Sequence, residues 1–588
     1  MKTDSFFRYI FLAIIFGVMS LVIVAKLVQI QVFPEKEIFN EQNESTLYQY
    51  RTVQPTRGQI YDRWGHLLAG NQEVYEIGVD LATMKNPETI ALMASTLLGK
   101  DYNQVLSDLT FDKDNPPGVY YTLARFVPLE TKEKVELYME SLNSGSSSAT
   151  SFNGEPQSLV GVQISPHQAR LYPEGPLASN VMGFVNRDNE GYFGVEAYYD
   201  DWLAGVTKPV RIPQDPHLAA EIPDLAEGAS LVLTIDREIQ ASMEEILDKA
   251  VQESGSEGGT ILVLDPETGE ILGMASSPRM DLNEYWRILD FFEEDQPFNL
   301  AVHSYEPGSV FKVLTMAAAL DSGTVEPNTV FLDTGVINVG GITIHNWNWG
   351  AWGQQDMTGC MQHSLNVCLA WVATETGENT FYAYMRAFGL GRPSGVELAG
   401  EVPGQLKLPG DSNWHPADLG TNAFGQGVTA TPVQMAMAIS AVANDGNMMV
   451  PHVVRSIVYE DRQYDIPLQV AGSPISEETA HTLTNMLAVS LEEEASSALV
   501  EGYRVAGKTG TAEIAGPGGY TSDLTNASFV GWGPVDDPQF LVYIWLQKPT
   551  SSPWGSVVAA PVFSEVVNRL VVLMDIPPDG IRQAMLVP

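Results

Sequence analysis

The sequence predicts an α+β multidomain chain: an N-terminal transmembrane helix, a mixed segment after it, and a larger C-terminal domain with an antiparallel sheet covered by helices. Three observations predict it. Residues 9–25, YIFLAIIFGVMSLVIVA, carry no charge; as a helix they would extend about 25 Å, close to the hydrocarbon thickness of a bilayer. From about residue 228 the apolar pattern alternates between periods of 2 and 3.6, with strand patterns at both ends and helical patterns between, as expected of one sheet assembled from N- and C-terminal pieces. Finally, 588 residues with 44% hydrophobic content and regular Gly and Pro punctuation suffice for several cores.

The anchor can continue through KLVQIQVF if Lys26 snorkels. Lys2 and Arg8 precede it, so the positive-inside rule predicts a single pass in the cell membrane, with a cytoplasmic N-terminus and everything after residue 33 extracytoplasmic. VIVAKLVQIQ offers no small-x-small cleavage site, which favours a permanent anchor over a cleaved signal peptide. Next come RGQIYDRWGHLLAG (residues 57–70), a helical pattern in NPETIALMASTLLG, and a Ser-rich stretch (residues 140–157) expected to be an exposed loop. GYFGVEAYYDDWLAG (191–205) is helical in period, and the proline-rich KPVRIPQDPHLAAEIPD reads as a boundary. The expected domains are 1–33, 34–225 and 226–588.

In the last of these, ASLVLTID reads as a strand and REIQASMEEILDKAVQES as an amphipathic helix. GGTILVLDPETGEILGMASS reads as a hairpin turning at residues 266–269. NASFVGWGPVDDPQFLVYIWLQ reads as a second hairpin, and APVFSEVVNRLVVLM as a closing helix.

Composition excludes one class of partner. With 73 Asp+Glu against 32 Lys+Arg and a net charge of −41, the chain lacks the basic stripes that nucleic acid binding needs. Cys360 and Cys368 are the only cysteines. On one continuous helix they would stand about 12 Å apart, beyond bridging distance, so they are expected to be free and buried. No metal and no cofactor is expected, since two cysteines alone cannot make a structural zinc site.

Three polar motifs stand out. In YEPGSVFKVLT, Ser309 and Lys312 follow a Pro-Gly break and open an apolar helical run. At i and i+3 their side chains share a face, and a lysine desolvated there and near other cations can accept a serine proton. In MQHSLNVCLAWVA, Ser364 can relay a proton, and the Asn366 amide can both donate to a carbonyl and accept from a lysine. In YRVAGKTGTAEI, a strand would place Thr509 and Thr511 on one face and Lys508 on the other, while Gly510 leaves room for a substrate backbone. Residues 502–509, GYRVAGKT, also spell the phosphate-loop pattern. Its context fails, because the lysine lies inside a strand pattern rather than between a strand and a helix. Each motif alone is common; all three in this order are specific.

With these motifs the chain resembles the class B penicillin-binding proteins, membrane-anchored peptidoglycan D,D-transpeptidases. RGQIYDRWGHLLA resembles the family's opening motif; RLYPEGPLASNVMGFV and GYFGVEAYYDDWLAG resemble its elongated, β-rich, non-catalytic pedestal (dimerisation-type) domain. FGQGVTATPVQMAMAISAVANDG resembles the transpeptidase domain. ASFVGWGPVDDPQFLVYIWLQKP and VVAAPVFSEVVNRLVVLMDIPPD look most like division-type, septal members. The resemblance implies a penicillin-binding/β-lactamase-like catalytic fold. It makes Ser309 the nucleophile toward the penultimate D-alanine carbonyl of a stem peptide, Lys312 the general base, and Ser364 and Lys508 the proton relay to departing D-alanine. It gives Asn366 the donor amide, Thr509 and Thr511 the terminal carboxylate, with Gly510 between them, and the backbone N–H groups of Ser309 and Thr511 the oxyanion hole. β-Lactams are expected to acylate Ser309. The implied protein partners are a polytopic lipid II glycosyltransferase and other divisome or elongasome proteins.

Other readings stay open at this point: an elongation-type transpeptidase, a β-lactamase or D,D-carboxypeptidase hydrolysing the same acyl-enzyme, and an inactive scaffold or β-lactam sensor. Leu365 at the centre of the middle motif, where the lactamase version has Asp, favours a transpeptidase. The cluster HNWNWGAWG (residues 345–353) could wall the cleft, but its tryptophans are read as packing and left out of the site.

Overall fold

The computed structural model describes residues 4–32, 48–53, 55–111, 118–143, 157–213, 226–494, 496–516 and 519–586. The Ser-rich stretch and the end of the proline-rich boundary lie largely outside these residues.

The chain divides into two compact units. The first comprises residues 1–56 and 205–228. It holds the helix Asp4–Val32, whose span Ile10–Val28 has a mean hydropathy of 2.7 and no buried side chains, the profile of a segment that takes lipid as its solvent. The same unit holds an antiparallel ribbon of Tyr48–Val53 with Lys208–Pro213.

The second unit, residues 57–204 and 229–588, carries the site. Its five-stranded sheet is antiparallel throughout, in the order Ile271–Ser277, Gly258–Leu264, Phe540–Gln547, Gly519–Gly533, Ala506–Gly516. Both expected hairpins form, and the C-terminal one adds its strands beside the N-terminal one. Strand Gly258–Leu264 is buried along its whole length, as a central strand covered on both faces must be. Helix Arg237–Ser254 starts where the Asp236 carboxylate accepts from the Glu238 and Ile239 N–H groups, and it stops at Gly255 in the left-handed region. A cap of this kind contributes about 1 kcal/mol. The helix packs with Ala560–Leu573, whose Phe563, Val566, Val567 and Leu570 have no exposure. That last helix is apolar enough to cross a membrane by composition, yet it is core. On the other face of the sheet, Lys312–Asp321, Asn366–Thr376 and Pro432–Ala443 form an all-helical layer within the largest hydrophobic cluster.

A second sheet crosses the expected boundary near residue 226. Ile60–Tyr61 pairs in parallel with Leu231–Val232, joining Leu67–Asp80, Tyr120–Val127 and Val162–Leu171 to Val454–Tyr459 and Arg462–Asp465. Beside it, three stretches far apart in sequence meet in one buried ionic cluster. Arg57 Nε donates to Glu196 Oε2 at 2.9 Å and Arg170 Nε to Glu196 Oε1 at 2.6 Å; Asp200 takes Arg57 from the other side at 2.7 Å. The Glu196 side chain has no exposure. Two guanidiniums around one carboxylate satisfy charges that would otherwise be costly to bury.

The two cysteines are not free, contrary to the sequence reading: Cys360 and Cys368 form a disulfide with their Cα atoms 6.1 Å apart. The assumption that failed is the continuous helix. Helix Met357–Gln362 ends, Ser364 turns into the left-handed region at φ 50°, and a new helix starts at Asn366. The break folds eight residues of separation back on themselves.

Candidate active site

The Ser309 turn is built by two close approaches. Gly308 has φ +59°, and a β-carbon on it would lie 2.7 Å from the Thr511 carbonyl oxygen. Gly425 packs against it from the far side, donating no side chain; its missing β-carbon would lie 2.2 Å from the Gly308 carbonyl oxygen, and the Gly308 N–H donates to the Gly425 oxygen at 3.0 Å. The Glu-Pro-Gly sequence therefore wedges the turn between a glycine loop and the edge of the sheet. Residues Gly308–Phe311 form a 3-10 turn that runs into helix Lys312–Asp321. Side chains three apart across such a turn share a face, and half-buried Ser309 is thus on the face of Lys312. Below, the Tyr305 ring stacks on Trp545 at 4.1 Å and its hydroxyl meets that of Tyr543, fixing the chain ahead of the turn to the sheet.

Lys312 has no exposure. Its Nζ donates to the Ser364 carbonyl at 2.7 Å and to Asn366 Oδ1 at 2.8 Å, with Ser364 Oγ at 3.1 Å. Desolvation first, and then the nearby Lys508 charge, push its pKa well below 10.5. The two shorter contacts go to oxygens that can only accept, whereas the Ser364 hydroxyl can accept from the amine or donate to it. Lys508 Nζ donates to Ser364 Oγ at 3.0 Å. Ser364 Oγ thus lies between the two amines, able to accept from Lys508 while donating to Lys312. A non-glycine residue with φ 50° carries strain of about 1–3 kcal/mol, and here that conformation turns both Ser364 oxygens toward Lys312.

The third motif lies on Ala506–Gly516, the edge strand of the five-stranded sheet. Lys508, Gly510 and Ala512 are buried, while Thr509, Thr511 and Glu513 are half-buried on the open face. The Lys508 amine curls back to within 3.2 Å of the Thr509 carbonyl and 3.5 Å of its Oγ1. At Gly510 a β-carbon would sit 2.1 Å from Ser528 Oγ and 2.9 Å from Val310 Cγ1, so only glycine lets the strand approach the Ser309 turn. An edge strand presents backbone groups to which an extended peptide can pair. The cleft between this strand and Ser364 can hold such a peptide beside a hydroxyl, a depressed lysine and a second cation.

Several participants were not singled out from sequence. The Asn366 amide donates to the His345 carbonyl at 3.2 Å, and Asn346 Oδ1 accepts from the Val367 N–H at 3.1 Å. The cluster at residues 345–353 therefore supports the middle motif directly. Its Trp347 and Trp349 are not packing residues, contrary to the sequence reading: they are 46% and 76% exposed.

The chain matches the penicillin-binding protein transpeptidase domain over residues 259–568 and the penicillin-binding protein dimerisation domain over residues 52–217. Stage V sporulation protein D of Bacillus subtilis is 32% identical over 533 residues, covering 88% of this chain and 78% of its own. Peptidoglycan D,D-transpeptidase FtsI of Escherichia coli is 27% identical over 546 residues, 90% of this chain and 85% of that one. Among solved structures, penicillin binding protein 3 of Mycobacterium tuberculosis complexed with aztreonam has a TM-score of 0.67 at 26% identity, covering 90% of this chain and 98% of the other. The fold, both domain matches and the relatives agree: the chain belongs to the class B penicillin-binding proteins, a family of peptidoglycan D,D-transpeptidases.

Proposed function

We propose that Ser309 is the nucleophile of this transpeptidase and that Lys312, Ser364 and Lys508 move its proton. Neutral Lys312 takes the proton as Ser309 Oγ attacks the penultimate D-alanine carbonyl of a stem peptide. Ser364, bridging Lys312 and Lys508, then passes a proton to the departing D-alanine amine. Asn366 holds the donor amide with the N–H that His345 leaves unused, Thr509 and Thr511 hold the terminal carboxylate, and Gly510 lets the strand that carries them sit against the Ser309 turn. The backbone N–H groups of Ser309 and Thr511 stabilise the oxyanion, each worth about 3 kcal/mol. The observation that carries this reading is the solvent-free Lys312 amine, coordinated by Ser364 and Asn366, with the Lys508 amine on the same hydroxyl.

β-Lactams take the place of the D-Ala-D-Ala end and acylate Ser309. The experiment is the fate of that adduct: a labelled penicillin adduct that persists for many minutes supports the transpeptidase reading, whereas rapid turnover to penicilloate would replace it with a β-lactamase.

The domain bounds proposed are 1–33 for tail and anchor, 34–225 for the pedestal and 226–588 for catalysis. The anchor places the catalytic domain outside the cell membrane, supported by Lys2 and Arg8 before the apolar span. The division-type resemblance favours septal synthesis beside a polytopic lipid II glycosyltransferase. A fluorescent fusion confined to side walls in dividing cells would reverse that assignment.

A further inference from the structure

Two exposed tryptophans, one tethered beside Ser364 and the other beside Thr511, meet each other. Trp347 Nε1 donates to the His363 carbonyl at 3.1 Å, one residue before Ser364. Trp554 precedes Gly555, whose N–H donates to Thr511 Oγ1 at 3.1 Å. Their rings meet edge to face with centroids 5.3 Å apart and an interplanar angle of 69°. Trp347 is 46% and Trp554 39% exposed, so each keeps ring surface turned to solvent. A tryptophan ring with one end hydrogen-bonded and the rest open to solvent has the amphipathic form that suits binding surfaces.

We propose that Trp347 and Trp554 form the binding site for the acceptor, an ammonium-bearing side chain of a second stem peptide; the proposal rests on the transpeptidase reading above. The incoming amine must reach the acyl carbon along the path by which the D-alanine amine left, because both nitrogens occupy the same position in the tetrahedral intermediate. That path passes Ser364 and Thr511, the two residues beside which the tryptophans are tethered. The interior of the site carries the Lys508 charge beside Ser364 and repels a second cation. An ammonium therefore gains attraction at the rim from tryptophan faces, which carry negative quadrupole charge. There it gives one proton to water. Its neutral nitrogen then bonds to the acyl carbon, the bond from that carbon to Ser309 Oγ breaks, and the amine's second proton returns to Ser309 Oγ through Lys312. Glu513, on the same open strand face as Thr511, is the competing attraction and serves as the control.

The test uses the full chain in detergent, acylated by a thioester analogue of a D-Ala-ended peptide and offered a peptide with a side-chain amine. The readout is the ratio of aminolysis to hydrolysis of the acyl-enzyme. Trp347→Leu and Trp554→Leu are expected to lower the ratio about tenfold, and Trp347→Phe and Trp554→Phe to keep most of it. Fluorotryptophans at either position, which drain the ring face without changing its shape, should lower the ratio stepwise with fluorine number. A ratio indifferent to fluorination, or one that falls with Glu513→Gln instead, overturns the proposal. Failure of the unmodified chain to acylate at Ser309 would strike the catalytic reading itself, not the acceptor site.

Discussion

Replacing Lys312 by methionine removes a base while keeping an unbranched side chain of similar length in a solvent-free position. The buried amine contributes in two separable ways. As general base it is worth about 10²–10⁴ in rate, or about 3–5 kcal/mol of barrier. As donor to the Ser364 carbonyl and Asn366 Oδ1 it contributes two buried hydrogen bonds, about 2 kcal/mol of stability, offset in part because methionine needs no solvation. Lys312→Met is therefore expected to fold with a modest fall in Tm and to acylate with labelled penicillin at least a hundredfold more slowly. Lys312→Arg keeps the charge and cannot act as a base, and it is expected to be as slow. The assay is the second-order acylation rate constant, with thermal unfolding run on the same samples. Folded Lys312→Met protein that acylates within tenfold of the parent would refute the assignment of Lys312 as the base.

Other consequences are equally concrete. Acylation should rise with pH on a limb that lies well below 10.5, because neutral Lys312 is the active form and its pKa is lowered; a pH–rate profile of acylation measures it. The same shift makes stability rise with pH between the lowered pKa and 10.5, where the unfolded chain binds the extra proton, an effect read by denaturant titration at several pH values. Removing the disulfide by Cys360→Ala with Cys368→Ala opens the small ring that contains Ser364 and Asn366; it should cost about 2.5 kcal/mol of stability and slow acylation as the Ser364 turn loosens. Gly425→Ala, forced against the Gly308 backbone at 2.2 Å, should lower acylation tenfold or more without touching any polar residue of the cleft. Glu196→Gln leaves Arg57 and Arg170 facing a neutral amide and should destabilise the fold by about 3–5 kcal/mol in urea titration.

Local chemistry made much of this legible in the sequence. The helix Arg237–Ser254 announces both ends, with Asp236 before it and Gly255 after it, and both hairpins carry their turns in their own residues. The three motifs were readable because their shared order is specific and each has a local reason for its geometry. What was not readable depends on distant partners. Nothing near Cys360 shows that Ser364 will leave the helical region, so the disulfide was missed. The parallel pairing of Ile60–Tyr61 with Leu231–Val232 and the meeting of Arg57, Arg170 and Glu196 are decided by tertiary packing. The sequence reads Trp347 as packing because tryptophan is usually well buried; the ring of Trp554, brought to it from the far end of the chain, is visible only after folding.

One hydroxyl, that of Ser309, is expected to carry the covalent chemistry with the buried Lys312 amine as its base. Incubating the full chain with penicillin, digesting it and locating the penicilloyl group by mass spectrometry tests this most directly. The expected result is a single adduct on the peptide containing Ser309, absent in Ser309→Ala; an adduct on another residue, or one that survives that substitution, would contradict it.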